Sequence, residues 1–318
     1  MSKDNYNFCI LFDKNFLLKG MALYNSIKSN CPDSRVWILC IDDLTEEMLK
    51  KMNLDGVNLF SLEDIGDNEL IAAENTRNSR EFAMTCKASF IGFLLNNFRT
   101  AEIWVYLDAD LFLFNSPESV FREFAGKSIM ITTHDFSKDV DARIKLRGNY
   151  NGGLIFWRNN EVARTCISRW RERCLRWCYD RSEDGKFLDQ LYLESWPEEF
   201  GNDLRAVSPE GTHVAPWNIG KYSVSIDKNA IKINGKPLIW YHFHGFKFYL
   251  NNEGHLSPYP LTFINKIIYR PYLKELSRVL EKVKTIDPDF DFGLAKKLNF
   301  LRRLKQNVTK STLSIISR

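Results

Sequence analysis

Asp108-Ala109-Asp110 places two carboxylates two residues apart, directly after Ile103-Trp-Val-Tyr-Leu107, a strongly apolar run. Ionised carboxylates cannot be buried unpaired, because desolvating them is prohibitively costly. Oxygen ligands at a strand end suit a hard divalent ion, Mn²⁺ or Mg²⁺, that bridges protein to substrate phosphates. Two loop aspartates capping the next segment would give the same triplet. Such an ion wants a further ligand, and a neutral imidazole can supply it. Tyr241-His242-Phe243-His244-Gly245-Phe246-Lys247 offers two imidazoles, which share one face if the segment is a strand. Gly245 lets backbone N–H groups approach a phosphate, and Lys247 adds a point charge. Asn151-Gly152-Gly153 reads as a turn that brings backbone close to a ligand or to another strand. Asp189 is expected near a helix start, where the dipole also favours a carboxylate. Arg80 and Lys87 fall on or near the helix before the metal strand, where a solvated face explains them equally well. Trp217, in the loop Ala215–Ile219 after His213, either stacks on a ligand or packs in the core.

Positioning these residues requires a scaffold, and the first 160 residues alternate strand and helix signals. Apolar runs at 8–12, 36–41, 57–62 and 103–107 are separated by helical spacings at 17–30, after Thr45 (an expected N-cap), and around 81–97. Continuous apolar strands between helices predict a mostly parallel sheet covered on both faces. Ligands of such sheets bind beyond the carboxyl ends of the strands, where Asp108 and Asp110 fall. Ser116-Pro117 reads as an N-cap and first helical position. Strands at 128–133 and 153–157, helices at 158–179 and 186–196, a hairpin at 222–233 and a strand at 238–243 follow.

In this order the segments resemble the GT-A glycosyltransferases that use a DxD motif, most closely family 8 and related nucleotide-diphospho-sugar transferases. The resemblance covers most of the first 250 residues. Phe12-Asp13-Lys14-Asn15-Phe16 is similar to the first strand end, where base and ribose dock, and Leu107 to Asp110 is similar to the metal motif. Asn151-Gly152-Gly153-Leu154 resembles the strand entry beside the donor sugar. Leu188-Asp189-Gln190 resembles the helix start that reaches the transferred sugar. Tyr241 to Lys247 resembles the late segment that completes the metal site and contacts the diphosphate. The family's lysine stands three residues after the glycine, where this chain has Phe248.

The resemblance implies an α/β, GT-A (Rossmann-like) fold, with a mostly parallel sheet flanked by helices and a C-terminal helical extension. It implies metal ligands Asp108, Asp110 and His242, with His244 as the alternate. Phe12, Asp13, Asn15, Arg80, Lys87, Asp108, Ala109, Gly152, Gly153, Gly245 and Lys247 would bind the nucleotide-diphosphate sugar, uridine being the commonest base. Asn151, Asp189 and Gln190 would act at the sugar, with retention and a glycan or lipid-linked acceptor. Nucleotidyl transfer would want a Gly-rich basic loop after the first strand, and Phe12–Phe16 has no glycine. A carbohydrate- or nucleotide-binding module is the non-catalytic alternative.

Over 318 residues, 44% apolar and 26% charged composition fits a globular protein with a packed core. A net charge of +4, with no basic run interleaved with aromatics, argues against nucleic acid as a partner. Seven cysteines without a matched CxxC pair read as buried reduced thiols. No leader pattern and no apolar stretch of about 18 residues is present, so a cytoplasmic location is expected and the sequon at Asn307 is not. The expected domains are 1–257, catalytic, and 258–318, a helical extension. From Leu294 onward seven Lys or Arg and no Asp or Glu accompany Leu294, Leu298, Leu301, Leu304 and Val308 at helical spacing. That pattern predicts a basic amphipathic helix, either docked on the domain or peripheral on an anionic membrane face.

Overall fold

The computed structural model describes residues 6–228, 230–250, 253–256, 263–295 and 312–314. The early apolar runs become β1 (Tyr6–Phe12), β2 (Arg35–Cys40), β3 (Val57–Phe60) and β4 (Ile103–Leu107). Between them lie α1 (Leu17–Asn30), α2 (Asp43–Met52), α3 (Leu62–Ile65), α4 (Asn68–Glu74) and α5 (Ser79–Asn97). Helical crossovers return each strand parallel to a neighbour, so β1 pairs with β2 and β4, and β2 with β3. The chain continues through β5 (Leu111–Leu113), α6 (Glu118–Phe124), β6 (Ile129–Thr133), α7 (Ala142–Lys145), β7 (Tyr150–Arg158), α8 (Glu161–Arg176), α9 (Trp196–Phe200) and β8 (Leu204–Val207). The large sheet has the order β3-β2-β1-β4-β7-β6-β8, with β7 antiparallel to β4 and β6.

Successive strand residues point to opposite faces. Phe8, Ile10, Val105 and Leu107 join one core with α1, α2 and α6, whereas Cys9, Leu11, Trp104 and Tyr106 join a second with α5 and α8. Both faces are covered, which is why the strand runs are continuously apolar. The carboxyl end of β4 therefore meets the amino end of antiparallel β7, with Leu107 opposite Leu154. Asp13, Asp108 and Asn151 start from this one rim.

Over the rim stands a small sheet. Of β9 (His213–Val214), β10 (Val224–Asp227), β11 (Ala230–Ile233), β12 (Lys236–Pro237) and β13 (Trp240–His242), the order β5-β13-β9 builds it. His242 lies opposite Leu111 and Trp240 opposite His213. β14 (Phe246–Tyr249) and β15 (Glu253–Leu256) follow, then α10 (Phe263–Ile286). α10 buries Tyr272, Leu276, Val279 and Val283 in the core that also holds α1.

Several local expectations change. Asp42, not Thr45, caps α2, because its extended backbone lets the side chain accept the Thr45 N–H. Pro117 rather than Ser116 occupies the cap of α6, without a side-chain bond. Asn160 caps α8, so Arg158 remains in β7. The helix expected over 186–196 is interrupted at Leu188, whose φ of 46° is left-handed; a 3₁₀ turn, Leu191–Ser195, precedes α9. The helix expected from Leu294 is met at its described ends by strands. β16 (Leu294–Ala295) pairs with β14 and β17 (Thr312–Ser314) with β15. Both complete edges that β14 and β15 would otherwise leave open. Leu298 to Val308, Asn307 and the 257/258 boundary lie outside the described residues. All seven cysteines are free and buried, and no described helix is long and apolar enough to cross a membrane.

Candidate active site

A cavity of about 540 Å³ opens at the rim of the large sheet. Every residue predicted for the site lines it except Gly152 and Gly153. Tight backbone contacts fix its wall. The Asp108 N–H donates to the Gly153 carbonyl at 2.8 Å, and the Phe243 N–H donates to the Asp110 carbonyl at 2.8 Å.

Asp110, His242 and His244 bring one ligand atom each within 4.8 Å of the others. His242 Nε2 is 2.9 Å from Asp110 Oδ1. Burial alone would raise the Asp110 carboxyl, but the charge and hydrogen bond of His242, with Lys19 and His244, hold it well below the usual carboxylate range. Burial lowers His244 to about 4, so it is a neutral imidazole near pH 7. One anionic oxygen and two imidazoles in a buried pocket fit a divalent ion.

The grouping differs from the expected ligand set. His244 stands beside Asp110 and His242, while Asp108 Oδ1 is drawn to Lys87 Nζ and the Tyr106 hydroxyl, each at 2.9 Å. Asp108 Oδ2 stays on the His242 side. A Cβ at Gly153 would lie 2.7 Å from Asp108 Oδ2, 2.8 Å from His242 Cε1 and 2.9 Å from Asn151 Oδ1. Only glycine lets these three groups converge.

Lys87, expected on a helix face, is instead enclosed between two carboxylates. Its Nζ lies 2.9 Å from Asp108 Oδ1 and 3.1 Å from Asp189 Oδ2, and both Lys87 and Asp189 are 2% exposed. Burial works against the Lys87 charge, yet the two carboxylates raise its pKa. Burial, with the like charge of Asp108, raises Asp189 despite Lys87. Asp189 is thus held by the protein, and its Oδ2 has no aligned hydrogen bond. Asn151 donates to His134 Nε2 at 3.0 Å and accepts from the Gly153 N–H at 2.8 Å. Gln190 anchors to the Arg147 carbonyl at 2.8 Å.

At the β1 end, Asp13 accepts from the Asn15 and Phe16 N–H groups, which ties down the loop entering α1. Arg80 pairs with Asp180 at 2.6 Å, and Lys247 is exposed on β14. Trp217 is buried against His242 and His244 and so belongs to the packing. Lys19, His134 and Arg147 also line the cavity and were not predicted. Lys19 stands in the first turn of α1, just after the Asp13–Phe16 loop.

No family model matches the chain. Among curated proteins it is similar to two uncharacterized proteins of Bacillus subtilis (strain 168). YfnF is 30% identical over 301 residues, covering 91% of this chain and 97% of the relative. YfnD is 29% identical over 299 residues, covering 92% and 95%. Among solved structures it is similar to the galactosyltransferase LgtC in complex with donor and acceptor sugar analogs (TM-score 0.54, 12% identity, 94% of this chain and 99% of that one). It is also similar to the glycosyltransferase GlyE of Streptococcus pneumoniae TIGR4 (TM-score 0.51, 12% identity, 89% and 64%). The fold is that of the GT-A glycosyltransferases.

Proposed function

Because the chain belongs to one family with YfnF and has the GT-A glycosyltransferase fold, we propose that it is a metal-dependent glycosyltransferase. It moves a sugar from a nucleoside diphosphate donor, with uridine as the base, to a glycan or lipid-linked acceptor. The observation that carries this reading is the Asp110, His242 and His244 group, its first two members buried and the third half-buried, at the wall of a cavity lined by further cations.

Asp110, His242 and His244 would hold Mn²⁺ or Mg²⁺, with Asp108 Oδ2 beside them. When bound, the ion supplies neutralisation of the charge that develops on the departing nucleoside diphosphate. Lys19 and Lys247 place positive charge at the same cavity, and Gly245, at φ 75°, turns its backbone without a Cβ in the way. The ordered Asp13–Phe16 loop receives base and ribose. Asn151 and Gln190, fixed by His134 and the Arg147 carbonyl, line the part of the cavity that would receive the sugar.

Retention is proposed on the state of the carboxylates. Inversion needs a carboxylate free to take the acceptor proton. Among the described cavity residues Asp13 is held by loop N–H groups, Asp108 and Asp189 by Lys87, and Asp110 by His242. The cations after Leu294 support a further proposal, that the enzyme works at the anionic inner face of a membrane.

A thermal-shift screen of nucleotide sugars with Mn²⁺ tests the reading, since a ligand bound to the native state raises stability with the logarithm of its excess over Kd. At least one nucleoside diphosphate sugar should raise Tm only when metal is present. Release of nucleoside diphosphate from that donor separates an enzyme from a binding module. No shift with any donor would overturn the proposal.

A further inference from the structure

We propose that His213 is a positioning residue for the metal site, orienting His242 from behind and exchanging its own tautomer when the ion binds. This rests on the metal reading above and concerns a residue that touches neither the proposed ion nor the donor.

Four groups form one hydrogen-bonded line. Thr132 Oγ1 on β6 lies 2.7 Å from His213 Nδ1, and His213 Nε2 on β9 lies 3.2 Å from His242 Nδ1. His242 Nε2 on β13 then lies 2.9 Å from Asp110 Oδ1. The two imidazole planes are within 11° of each other, with centroids 5.4 Å apart, and Trp217 stands edge-on to both. His213 is 1% exposed and Thr132 equally buried. An apolar side chain could occupy that space without losing hydration, so a buried imidazole is retained at a cost that its two hydrogen bonds must offset.

The line has only two consistent arrangements of hydrogens when both rings are neutral. A carboxylate only accepts. Without an ion, His242 Nε2 therefore carries the hydrogen and donates to Asp110. His242 Nδ1 must then accept from His213 Nε2–H, and His213 Nδ1 must accept from the Thr132 hydroxyl. An ion on His242 Nε2 needs the lone pair of that nitrogen. The ring hydrogen must then sit on Nδ1, so His213 Nε2 becomes the acceptor and its Nδ1–H donates to Thr132 Oγ1. One hydrogen moves from Nε2 to Nδ1 on each ring, and the hydroxyl rotates. No proton enters or leaves the line, and both inner hydrogen bonds survive with donor and acceptor exchanged. Thr132 and His213 can each play either role, which phenylalanine at 213 cannot. Loss of a partner that orients a ligand histidine typically weakens metal binding about 10- to 100-fold.

The test uses the full chain with ¹⁵N-labelled histidine at pH 8, in long-range ¹H–¹⁵N spectra before and after saturation with diamagnetic Mg²⁺. His213 and His242 should both pass from the Nε2–H to the Nδ1–H form. In calorimetry H213F should bind Mn²⁺ about 10- to 100-fold more weakly, and H213Q, which can present an amide oxygen, should recover most of that loss. A His213 tautomer that stays fixed while His242 registers the ion would overturn the proposal, as would an H213F affinity within twofold of wild type. If H213F does not fold, the spectra of the unaltered protein and the affinity of H213Q decide. Should neither ring respond to Mg²⁺, the metal reading itself fails and takes this proposal with it.

Discussion

Replacing Lys87 by methionine keeps the length of the side chain and removes the cation enclosed between Asp108 and Asp189. Breaking a buried ion pair from one side typically costs about 3–5 kcal/mol, because the remaining charge stays out of water. Asp108, 21% exposed, can regain hydration, whereas Asp189 at 2% cannot. The penalty therefore falls mainly on Asp189, and K87M is expected to lose about 3–5 kcal/mol at pH 7. K87M/D189N should recover most of it. The pH dependence has a definite sign. Burial already places the Asp189 pKa above its unfolded value, so its contribution is full below about pH 3.9 and declines as pH rises through the folded pKa. Without Lys87 that pKa rises further, and K87M should lose stability from about pH 4 upward with a slope of up to about 1.4 kcal/mol per pH unit beyond wild type. Urea unfolding of metal-free protein across this range, with an unchanged m-value, measures both effects. A K87M variant within about 0.5 kcal/mol of wild type, the range of ordinary surface substitutions, or no recovery in the double variant, would refute the reasoning.

G153A should cost about 1–3 kcal/mol of stability through overpacking and should also weaken Mn²⁺ binding, because the new Cβ meets Asp108, His242 and Asn151 at 2.7–2.9 Å; calorimetry alongside thermal unfolding reads both. His134 is lowered to about 3 by burial, so its contribution is present above the unfolded value near 6.5 and lost as pH falls. Metal-free wild type should lose about 2 kcal/mol through this residue between pH 6.5 and 5, and H134Q should remove that part of the slope in urea titrations. G293A should destabilise the tail, since Gly293 has φ 71° and its Cβ would fall 2.1 Å from the Asn15 carbonyl oxygen; limited proteolysis after residue 286 should accelerate.

What the sequence made legible was local. Asp108 and Asp110 could be placed because β4 is apolar on both faces and ends where they begin. Strand phase anticipated His242 and His244 at one site, although β13 ends at His242 and His244 reaches that site from the turn that follows. The partner of Lys87 was not legible, because a helix residue and two carboxylates 21 and 102 positions away meet only through the packing of α5 under the β4–β7 rim. His213 reaches His242 through the parallel β9–β13 register, a pairing two residues long with no periodicity to announce it. Asp42 and Thr45 were both chemically able to cap α2, and backbone conformation decided between them. In the tail, seven cations beside a leucine stripe spell a helix, yet Gly293 and the open edges of β14 and β15 place strands at its described ends.

Metal-dependent donor use is tested most directly by titrating Mn²⁺ into wild type and D110N with uridine diphosphate present, and then following uridine diphosphate release from the donor sugar that binds. Asp110 is the anionic member of the Asp110, His242 and His244 group. The expected result is metal-dependent binding and release in wild type, with D110N folded but losing both. Nucleotide binding that is indifferent to metal, or a folded D110N that retains wild-type release, would contradict the assignment.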